Sequence, residues 1–176
     1  MPTPEYVRRL RAAVGQDLLL LPGVCAVVFD ERDRVLLVRG RETGRWSPIG
    51  GILEPGEQPA DAVVREVHEE TAVHCVPERL VLTEMLRPVT YRNGDRCQFL
   101  DLTFRCRSVG GAARVNDDES LEVGWFPVDE LPEMEDAFRF RVARAREEGP
   151  AWFRTAAGDG AWSGRPAADP AGPAVR

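Results

Sequence analysis

The sequence predicts an α/β fold in which helices pack against a mixed β-sheet. Three observations support this: a composition suited to one domain, alternating β-rich and helical runs, and an Asn-Gly step typical of a hairpin. The chain has 176 residues, and 43% of them are hydrophobic. Single domains usually run to roughly 100–200 residues. We therefore expect one core of ordinary size.

The first elements are a helix and a hairpin. Residues 4–14 have the spacing of an amphipathic helix, with arginines between the apolar positions. Those apolar positions are Tyr6, Val7, Leu10 and Val14. Two β-rich runs follow at 24–29 and 35–38, separated by DERDR, and their spacing predicts a hairpin.

The second half of the chain predicts further strands and one more helix. Runs at 80–91 and 97–106 flank Asn93-Gly94-Asp95, and an Asn-Gly step favours the turns that close hairpins. Residues 122–128 predict another short strand, and residues 135–147 a second long helix. The alternation of these elements predicts the sandwich of helices around the sheet.

A helix between these two groups carries an unusual concentration of charge. Pro59 suits its first turn, and the apolar stripe that should face the core is Ala60, Val63, Val64, Val67 and Thr71. Glu66, Glu69 and Glu70 follow the i, i+3, i+4 spacing, so they share a second face. Like charges at these spacings cost about 0.2–0.5 kcal/mol per pair. The cluster is either a solvated acidic face or a cation site.

The residues around the cluster fit a longer pattern. Its fixed positions are Gly51, Glu57, Arg65, Glu66, Glu69 and Glu70, with aliphatic Val67 and Val73. This pattern resembles the box of the Nudix hydrolase family over residues 51–73. Ala72 is the one departure, because the box has Gly there. That Gly ends the helix in a left-handed conformation, which costs Ala about 1–2 kcal/mol. The helix is therefore expected either to end there or to continue by about one residue, with Pro77 stopping it.

The resemblance implies a Nudix-type α/β/α sandwich around a mixed β-sheet. It also implies hydrolysis of a pyrophosphate bond, dependent on Mg²⁺ or Mn²⁺. Hard cations of this kind take oxygen ligands. The implied metal ligands are Glu66, Glu69, Glu70 and the carbonyl of Gly50. Gly51, Glu57 and Arg65 would support the site, with Glu57 and Arg65 as an ion pair that fixes the loop to the helix.

A general base must accept a proton from water, and the resemblance offers two positions. One is the box glutamate Glu66, and the other is an acid in the loop before the last strand. In the loop sequence NDDESLEVGW, Glu119 best fits the family's spacing. Its rivals are Asp117, Asp118 and Glu122.

Substrate recognition is less specified by the sequence. Arg39 matches a place where family members meet phosphate, and further candidates for substrate contact are Arg41, Arg45, Trp46 and Arg87. Pro88 matches the ADP-ribose branch of the family, whereas Tyr91 matches the dinucleoside polyphosphate branch. The substrate is therefore expected to be a nucleoside diphosphate linked to another group, with ADP-ribose or another nucleotide sugar first. The alternatives are a nucleoside triphosphate pyrophosphohydrolase and a non-catalytic nucleotide sensor.

Charge and cysteine usage restrict partners and compartment. The net charge is −6, so the field of the whole protein attracts neither nucleic acid nor an anionic membrane. The cysteines form no CxxC pair, and we interpret them as structural thiols in a reducing cytoplasm. Residues 18–29 are interrupted by Pro22 and Gly23 and fall short of the ~20 apolar residues that span a membrane.

The chain divides into three predicted parts. Residues 1–22 form the amphipathic helix and its lead-in, 23–150 the hydrolase domain, and 151–176 a Gly/Ala/Pro-rich tail. The tail can bury little apolar area unless Trp152, Phe153 or Trp162 docks it. The N-terminal addition needs an apolar surface to cover. We expect this surface to lie in a homodimer, the alternative being a cover within the same chain, and a small nucleotide is the other expected partner.

Overall fold

The computed structural model describes residues 4–155 and 158–160. Within this part of the chain there are three helices and ten strands. In order they are α1 Glu5–Val14, β1 Leu19–Phe29, β2 Arg34–Gly40, β3 Trp46–Ser47, β4 Ile49–Ile52, α2 Pro59–Thr71, β5 Val73–Met85, β6 Val89–Thr90, β7 Arg96–Gly111, β8 Ser120–Pro127, α3 Asp136–Arg146, β9 Trp152–Thr155 and β10 Gly158–Gly160.

The strands form one mixed sheet. Its main path runs β10-β9-β5-β7-β1-β2-β3, while β4 pairs with β1, β6 with β7 and β8 with β2. Strands β1 and β7 run parallel from Leu19 opposite Cys97 to Phe29 opposite Arg107. Strands β5 and β7 run antiparallel. The mixed sheet confirms the predicted fold class.

Helices cover both faces of the sheet. On β1, Val24, Ala26 and Val28 point to one face and share a core cluster with Val63 and Val67 of α2. The alternate β1 residues Val27 and Phe29 share a second cluster with Val142 and Ala145 of α3. The period of two along a strand explains this division. The result is three layers, helix, sheet and helix.

Helix α1 packs within its own chain on the α3 side of the sheet. Its Val7 is buried in a third cluster with Leu21 of β1 and Cys97 of β7. Leu21 and Val27 lie an even number of residues apart on β1, so their side chains share a face. The predicted apolar face of α1 is therefore at least partly covered without a partner.

The predicted hairpin between β1 and β2 is wrong in its extent. The two strands are antiparallel, but the register joins them only at Phe29 and Val35. Beyond this pair β1 is paired with β4 and β7, and β2 is paired with β8. Other strands therefore occupy both hydrogen-bonding edges of β1, and this strand is buried almost throughout. The sheet therefore opens between β1 and β2.

The predicted run 80–91 is divided between β5, which begins at Val73 and ends at Met85, and the short β6, while β7 continues beyond the predicted end at 106 to Gly111. The helices at both ends of the chain and β8 are found within two residues of their predicted bounds. The Asn93-Gly94 turn joins β6 to β7, and Gly94 has a φ of +88°. Trp152 is buried, and β9 pairs with β5 through Leu82 opposite Trp152. Trp162 lies outside the described residues.

All four cysteines, Cys25, Cys75, Cys97 and Cys106, are buried free thiols. In the part of the chain that is described, no helix has the length and apolar character needed to cross a bilayer.

Candidate active site

Helix α2 presents the box to the sheet. Pro59 occupies its first position, where the missing N–H removes no helical hydrogen bond. Its buried residues are Ala62, Val63, Glu66, Val67 and Thr71. Two members of the predicted apolar stripe are not buried: Ala60 is half-buried, and Val64 is 36% exposed. The buried face is therefore rotated toward Glu66.

Glu66 is the deepest of the box carboxylates, with a relative exposure of 1%. One oxygen, Oε1, accepts a hydrogen bond from Arg65 at 2.9 Å. The other oxygen, Oε2, is buried and has no hydrogen-bond partner among the described residues. Burial raises the pKa of this carboxyl group to about 7, even though Arg65 acts in the opposite direction. A buried carboxylate oxygen without a donor is costly unless a cation or proton meets it.

Gly51 makes room for that carboxylate. A Cβ atom at residue 51 would lie 1.9 Å from Glu66 Oε1 and 2.5 Å from Oε2. Both distances are far below van der Waals contact, so only glycine fits while Glu66 holds this position. The backbone at Gly51 and the side chain of Glu66 on α2 are thus complementary in shape.

Arg65 ties the loop to the helix. Its Nε and Nη2 donate to the two carboxylate oxygens of Glu57 at 2.8 and 2.9 Å. It also donates to Glu66 Oε1, to Glu69 Oε2 at 3.3 Å and to the carbonyl of Ile52 at 3.3 Å. The structure therefore contains the Glu57–Arg65 ion pair, and the hydrogen bond from Arg65 lowers the pKa of Glu57.

Glu70 lies on the same side as Glu66 and faces strand β4. Its carboxylate accepts a hydrogen bond from the backbone N–H of Gly50. Burial, followed by the negative charges of Glu66 and Asp117, raises the pKa of Glu70 to about 8. Glu66, Glu70, Gly50 and Asp117 therefore come together at one place.

Glu69 differs from its two neighbours, because its side chain is 46% exposed and held by Arg65. Within residues 4–155 and 158–160, no three His, Cys, Asp or Glu side chains form a complete set of metal ligands. Arg65 explains part of this, since its guanidinium holds Glu66 Oε1 and Glu69 Oε2. Of the three glutamates on this face of α2, Glu66 and Glu70 are therefore drawn together, while Arg65 holds Glu69 apart.

The end of α2 resolves the departure at Ala72. This residue is left-handed, with φ 57° and ψ 17°, and its N–H donates to the carbonyl of His68. Residue 72 thus keeps the left-handed conformation of the box Gly, the extension toward Pro77 does not occur, and β5 begins at the next residue. The substitution of Ala for Gly has not lengthened the helix.

The loop between β7 and β8 reaches the same helix end. The backbone N–H of Arg114 donates to Thr71 O, and that of Asn116 donates to Glu70 O, both at 3.1 Å. The Nδ2 atom of Asn116 donates to His68 O at 3.0 Å. Sequence reasoning missed Asn116, because the box pattern stops at Val73 and nothing local marks a contact 48 residues away.

The loop acids occupy different surroundings. Asp117 Oδ1 accepts a hydrogen bond from the N–H of Ser120 at 2.9 Å, and its charge acts on Glu70. Glu119 is exposed, and its backbone carbonyl accepts from the N–H of Arg41. Glu122 pairs with Arg39 instead. The negative charge of Asp117 is the loop charge that raises the pKa of Glu70.

The predicted substrate residues are only partly brought together. Arg39 lies opposite Trp46 in the β2–β3 register, and Arg41 Nε donates to Asp118 O at 2.8 Å. Trp46 makes an edge-on contact with Phe126, with ring centroids 4.7 Å apart. Arg39 and Arg41 lie where β2 ends and β8 begins, whereas the Trp46 ring extends along β8 to Phe126 near its other end.

Arg87 and Tyr91 lie on the β5–β7 side, in exposed positions. Partial desolvation of its ring still raises the pKa of Tyr91, and the charges of Cys97 and Glu42 add to the effect. Glu42 belongs to the β2–β3 connection and also meets Arg92 at 3.7 Å. Tyr91 is therefore close to the segment that follows Arg41, whereas Arg87 has no described contact with the box.

The three-layer sandwich and the box on helix α2 are together the arrangement that the Nudix resemblance implies. The family model described as "NUDIX domain" matches residues 19–145, and the chain belongs to the Nudix family.

Curated relatives agree with this assignment. The chain is 36% identical over 115 residues to the 8-oxo-dGDP phosphatase NUDT18 of Homo sapiens, which covers 62% of this chain and 33% of that protein. It is 35% identical over 123 residues to a MutT-like protein of Streptomyces ambofaciens, which covers 69% of this chain and 74% of that protein. The chain thus spans about a third of the human relative.

Solved structures show the same fold. An ADP-ribose pyrophosphatase from Streptococcus suis 89-1591 superposes with a TM-score of 0.58 at 26% identity. The match covers 76% of this chain and 97% of that one.

Proposed function

We propose that the protein is a Nudix hydrolase that uses Mg²⁺ or Mn²⁺ to cleave the pyrophosphate bond of a nucleoside diphosphate linked to another group. The observation that carries the proposal is the buried, unpartnered Oε2 of Glu66, beside Glu70 and above Gly51. A solvated acidic face would leave these carboxylates in water. Here two of them are withdrawn from it together.

These residues fit a hard divalent cation. Carboxylate and carbonyl oxygens are the donors that Mg²⁺ and Mn²⁺ prefer. Glu66 and Glu70 would hold the ion, with Glu69 and the carbonyl of Gly50 completing the protein ligands. When bound, such an ion offsets phosphate charge and acidifies water.

The remaining residues would act around that ion. Arg65 and Glu57 fix the loop so that Glu66 keeps its place. For the proton acceptor, we retain Glu66 and Glu119 and add Asp117, because its charge already acts on Glu70. Arg39, Arg41 and Trp46 are proposed to contact the substrate at the β2–β8 edge.

ADP-ribose is our first substrate, and oxidised nucleotides are the second. The solved structure named as an ADP-ribose pyrophosphatase favours the first. The human relative named as an 8-oxo-dGDP phosphatase favours the second. Both names describe attack on a diphosphate. A non-catalytic sensor is disfavoured, since Glu57, Glu66, Glu69 and Glu70 are all present.

Product release with Mg²⁺ and with Mn²⁺ tests the proposal. The panel contains ADP-ribose, a uridine diphosphate sugar, 8-oxo-dGDP and 8-oxo-dGTP, and ¹⁸O water locates the attacked phosphorus. We expect monophosphate products from ADP-ribose, and no turnover with a chelator or with Glu70→Gln. Preference for a triphosphate over all diphosphates would overturn the substrate half. Full activity in chelator would overturn the metal half.

A cytoplasmic location, the boundaries 1–22, 23–150 and 151–176, and a homodimer are also proposed. The surface for the dimer is the exposed apolar strip of Leu18, Leu20, Met85 and Leu100. Light scattering between 1 and 50 μM is expected to give twice the chain mass of 19.6 kDa. A constant monomer mass over this range would contradict it.

A further inference from the structure

The last carbonyls of α2 are satisfied by a distant loop. A helix leaves its final carbonyls without partners inside the helix. In α2 the carbonyls of Thr71 and Glu70 accept the backbone N–H groups of Arg114 and Asn116, both at 3.1 Å. We call residues 114–116 the clasp. It docks on the helix end opposite to the Pro59 end.

The side chain of Asn116 adds a third bond to the clasp. Its Nδ2 donates to His68 O at 3.0 Å, a carbonyl that also accepts the N–H of Ala72. One residue thus contacts α2 through both its backbone and its side chain. A primary amide is suited to this role, since it donates at a helix end where negative partial charge accumulates.

The chain reaches the clasp through a forced close approach. Gly111, at the end of β7, has a φ of +84°. A Cβ atom there would lie 2.3 Å from the carbonyl oxygen of Ala72. The segment 111–116 therefore follows the turn at Ala72 closely, and its conformation is determined at both ends.

Asp117 follows the clasp directly. Its Oδ1 accepts a hydrogen bond from the N–H of Ser120 at 2.9 Å. Asp117 is therefore held from both directions along the chain, by the clasp before it and by Ser120 after it. Its negative charge reaches Glu70. Glu66, with its buried and unpartnered Oε2, lies beside Glu70 on the same helix.

We propose that Asn116 is a positioning residue for the metal site: its hydrogen bonds to α2 hold Asp117 beside Glu70 and make Asp117 a carboxylate of that site. The inference rests on the proposed function, because it needs a divalent ion at Glu66 and Glu70. In this role Asn116 contacts α2 and would not be a ligand of the ion or the substrate. Its effect is transmitted through the position of Asp117.

Manganese binding without substrate tests this role. Mn²⁺ titration followed by electron paramagnetic resonance gives a Kd for wild type, Asn116→Ala and Asn116→Asp. Residues that orient ligands typically change metal affinity by about 10–100-fold, and we expect at least a tenfold weaker Kd for both variants. Asn116→Asp keeps the shape of the side chain and removes the donor, so it separates the hydrogen bond from packing.

Asn93→Ala is the matched control. Asn93 is also an exposed turn asparagine whose Nδ2 donates a hydrogen bond, to Asp95 at 2.9 Å, but in the β6–β7 turn. Its loss should leave the Kd for Mn²⁺ unchanged. If the role of Asn116 is merely structural, Asn116→Ala will lower the melting temperature but bind Mn²⁺ with the wild-type Kd, as Asn93→Ala is expected to do.

A double-mutant cycle with Asp117 completes the test. Asp117→Asn should weaken Mn²⁺ binding, and adding Asn116→Ala should then weaken it no further, because coupled residues are not additive. The role of Asn116 would be overturned if the two substitutions weakened Mn²⁺ binding by independent factors that multiply, or if Asn116→Ala bound Mn²⁺ as wild type does. Neither result would affect the proposed function. If wild type itself binds no Mn²⁺, the metal half of the proposed function fails as well.

Discussion

Gly51 and Glu66 fit each other so closely that a Cβ atom on residue 51 would lie 1.9 Å from Glu66 Oε1. Gly51→Ala must displace the carboxylate or the β4 loop. We expect kcat to fall at least about a hundredfold. We expect Mn²⁺ to bind at least about tenfold more weakly, as for a displaced metal ligand. Steady-state kinetics and metal titration measure both.

Gly23→Ala is the control for this change. Gly23 lies beside the same strand, opposite Ile52, and its nearest neighbours would be an ordinary 3.6 Å from a new Cβ. We expect near wild-type kinetics from it. Equal losses in both variants would show that backbone stiffness, and not the Glu66 contact, explains the result.

Glu70→Gln separates function from stability. It removes a charge whose burial is unfavourable, while the amide oxygen still accepts the N–H of Gly50. Activity should fall at least a hundredfold. The melting temperature of the metal-free protein should stay level or rise. Turnover at the wild-type rate would place the catalytic site elsewhere.

The stability of the metal-free protein should fall as the pH rises. Burial raises the pKa of Glu66 to about 7 and of Glu70 to about 8, from 4.5. Below pH 4.5 both states hold these protons, so there is no contribution. Between pH 4.5 and about 8 the unfolded chain has released them and the folded chain keeps them, so the free energy of unfolding decreases.

Urea denaturation from pH 5 to pH 8.5 in chelator checks this trend. The decrease should flatten above pH 8 and be smaller in Glu70→Gln. Saturating Mg²⁺ should reverse the trend, because the ion binds the ionised carboxylates. A metal-free stability that rises across this interval contradicts the assigned burial of the two groups.

Ala72→Gly should stabilise the protein. Ala72 has a φ of 57°, a conformation that costs a non-glycine residue roughly 1–2 kcal/mol. Part of this gain is lost, because glycine increases the conformational entropy of the unfolded chain, which lowers the free energy of unfolding by about 0.4–1 kcal/mol. We expect a net gain of up to about 1 kcal/mol in thermal or urea unfolding.

Ala12→Gly in α1 supplies the contrast, since Ala12 is exposed and helical. It should destabilise by up to about 1 kcal/mol. A lower melting temperature for Ala72→Gly would mean that the packing of the buried methyl group outweighs the backbone strain.

The sequence alone determined the box helix and the spacing of its carboxylates. Pro59 marks the start of α2, and the spacing of Glu66, Glu69 and Glu70 follows from 3.6 residues per turn. Both are local properties, so they could be predicted without a fold. The same holds for the Asn93-Gly94 turn, where the residue types themselves favour the backbone conformation. It does not hold for Ala72, because alanine disfavours the left-handed conformation that the structure shows there.

The tertiary structure decided which of those residues are buried and what they meet. By helical spacing alone, Glu66 and Glu69 are equivalent. In the fold, Glu66 packs against Gly51 and is buried, whereas Glu69 is half-exposed. Asn116 reaches His68 across 48 residues, and the opening between β1 and β2 depends on where β4, β7 and β8 pair. Such contacts form only when distant segments pack against one another, and no local periodicity encodes them.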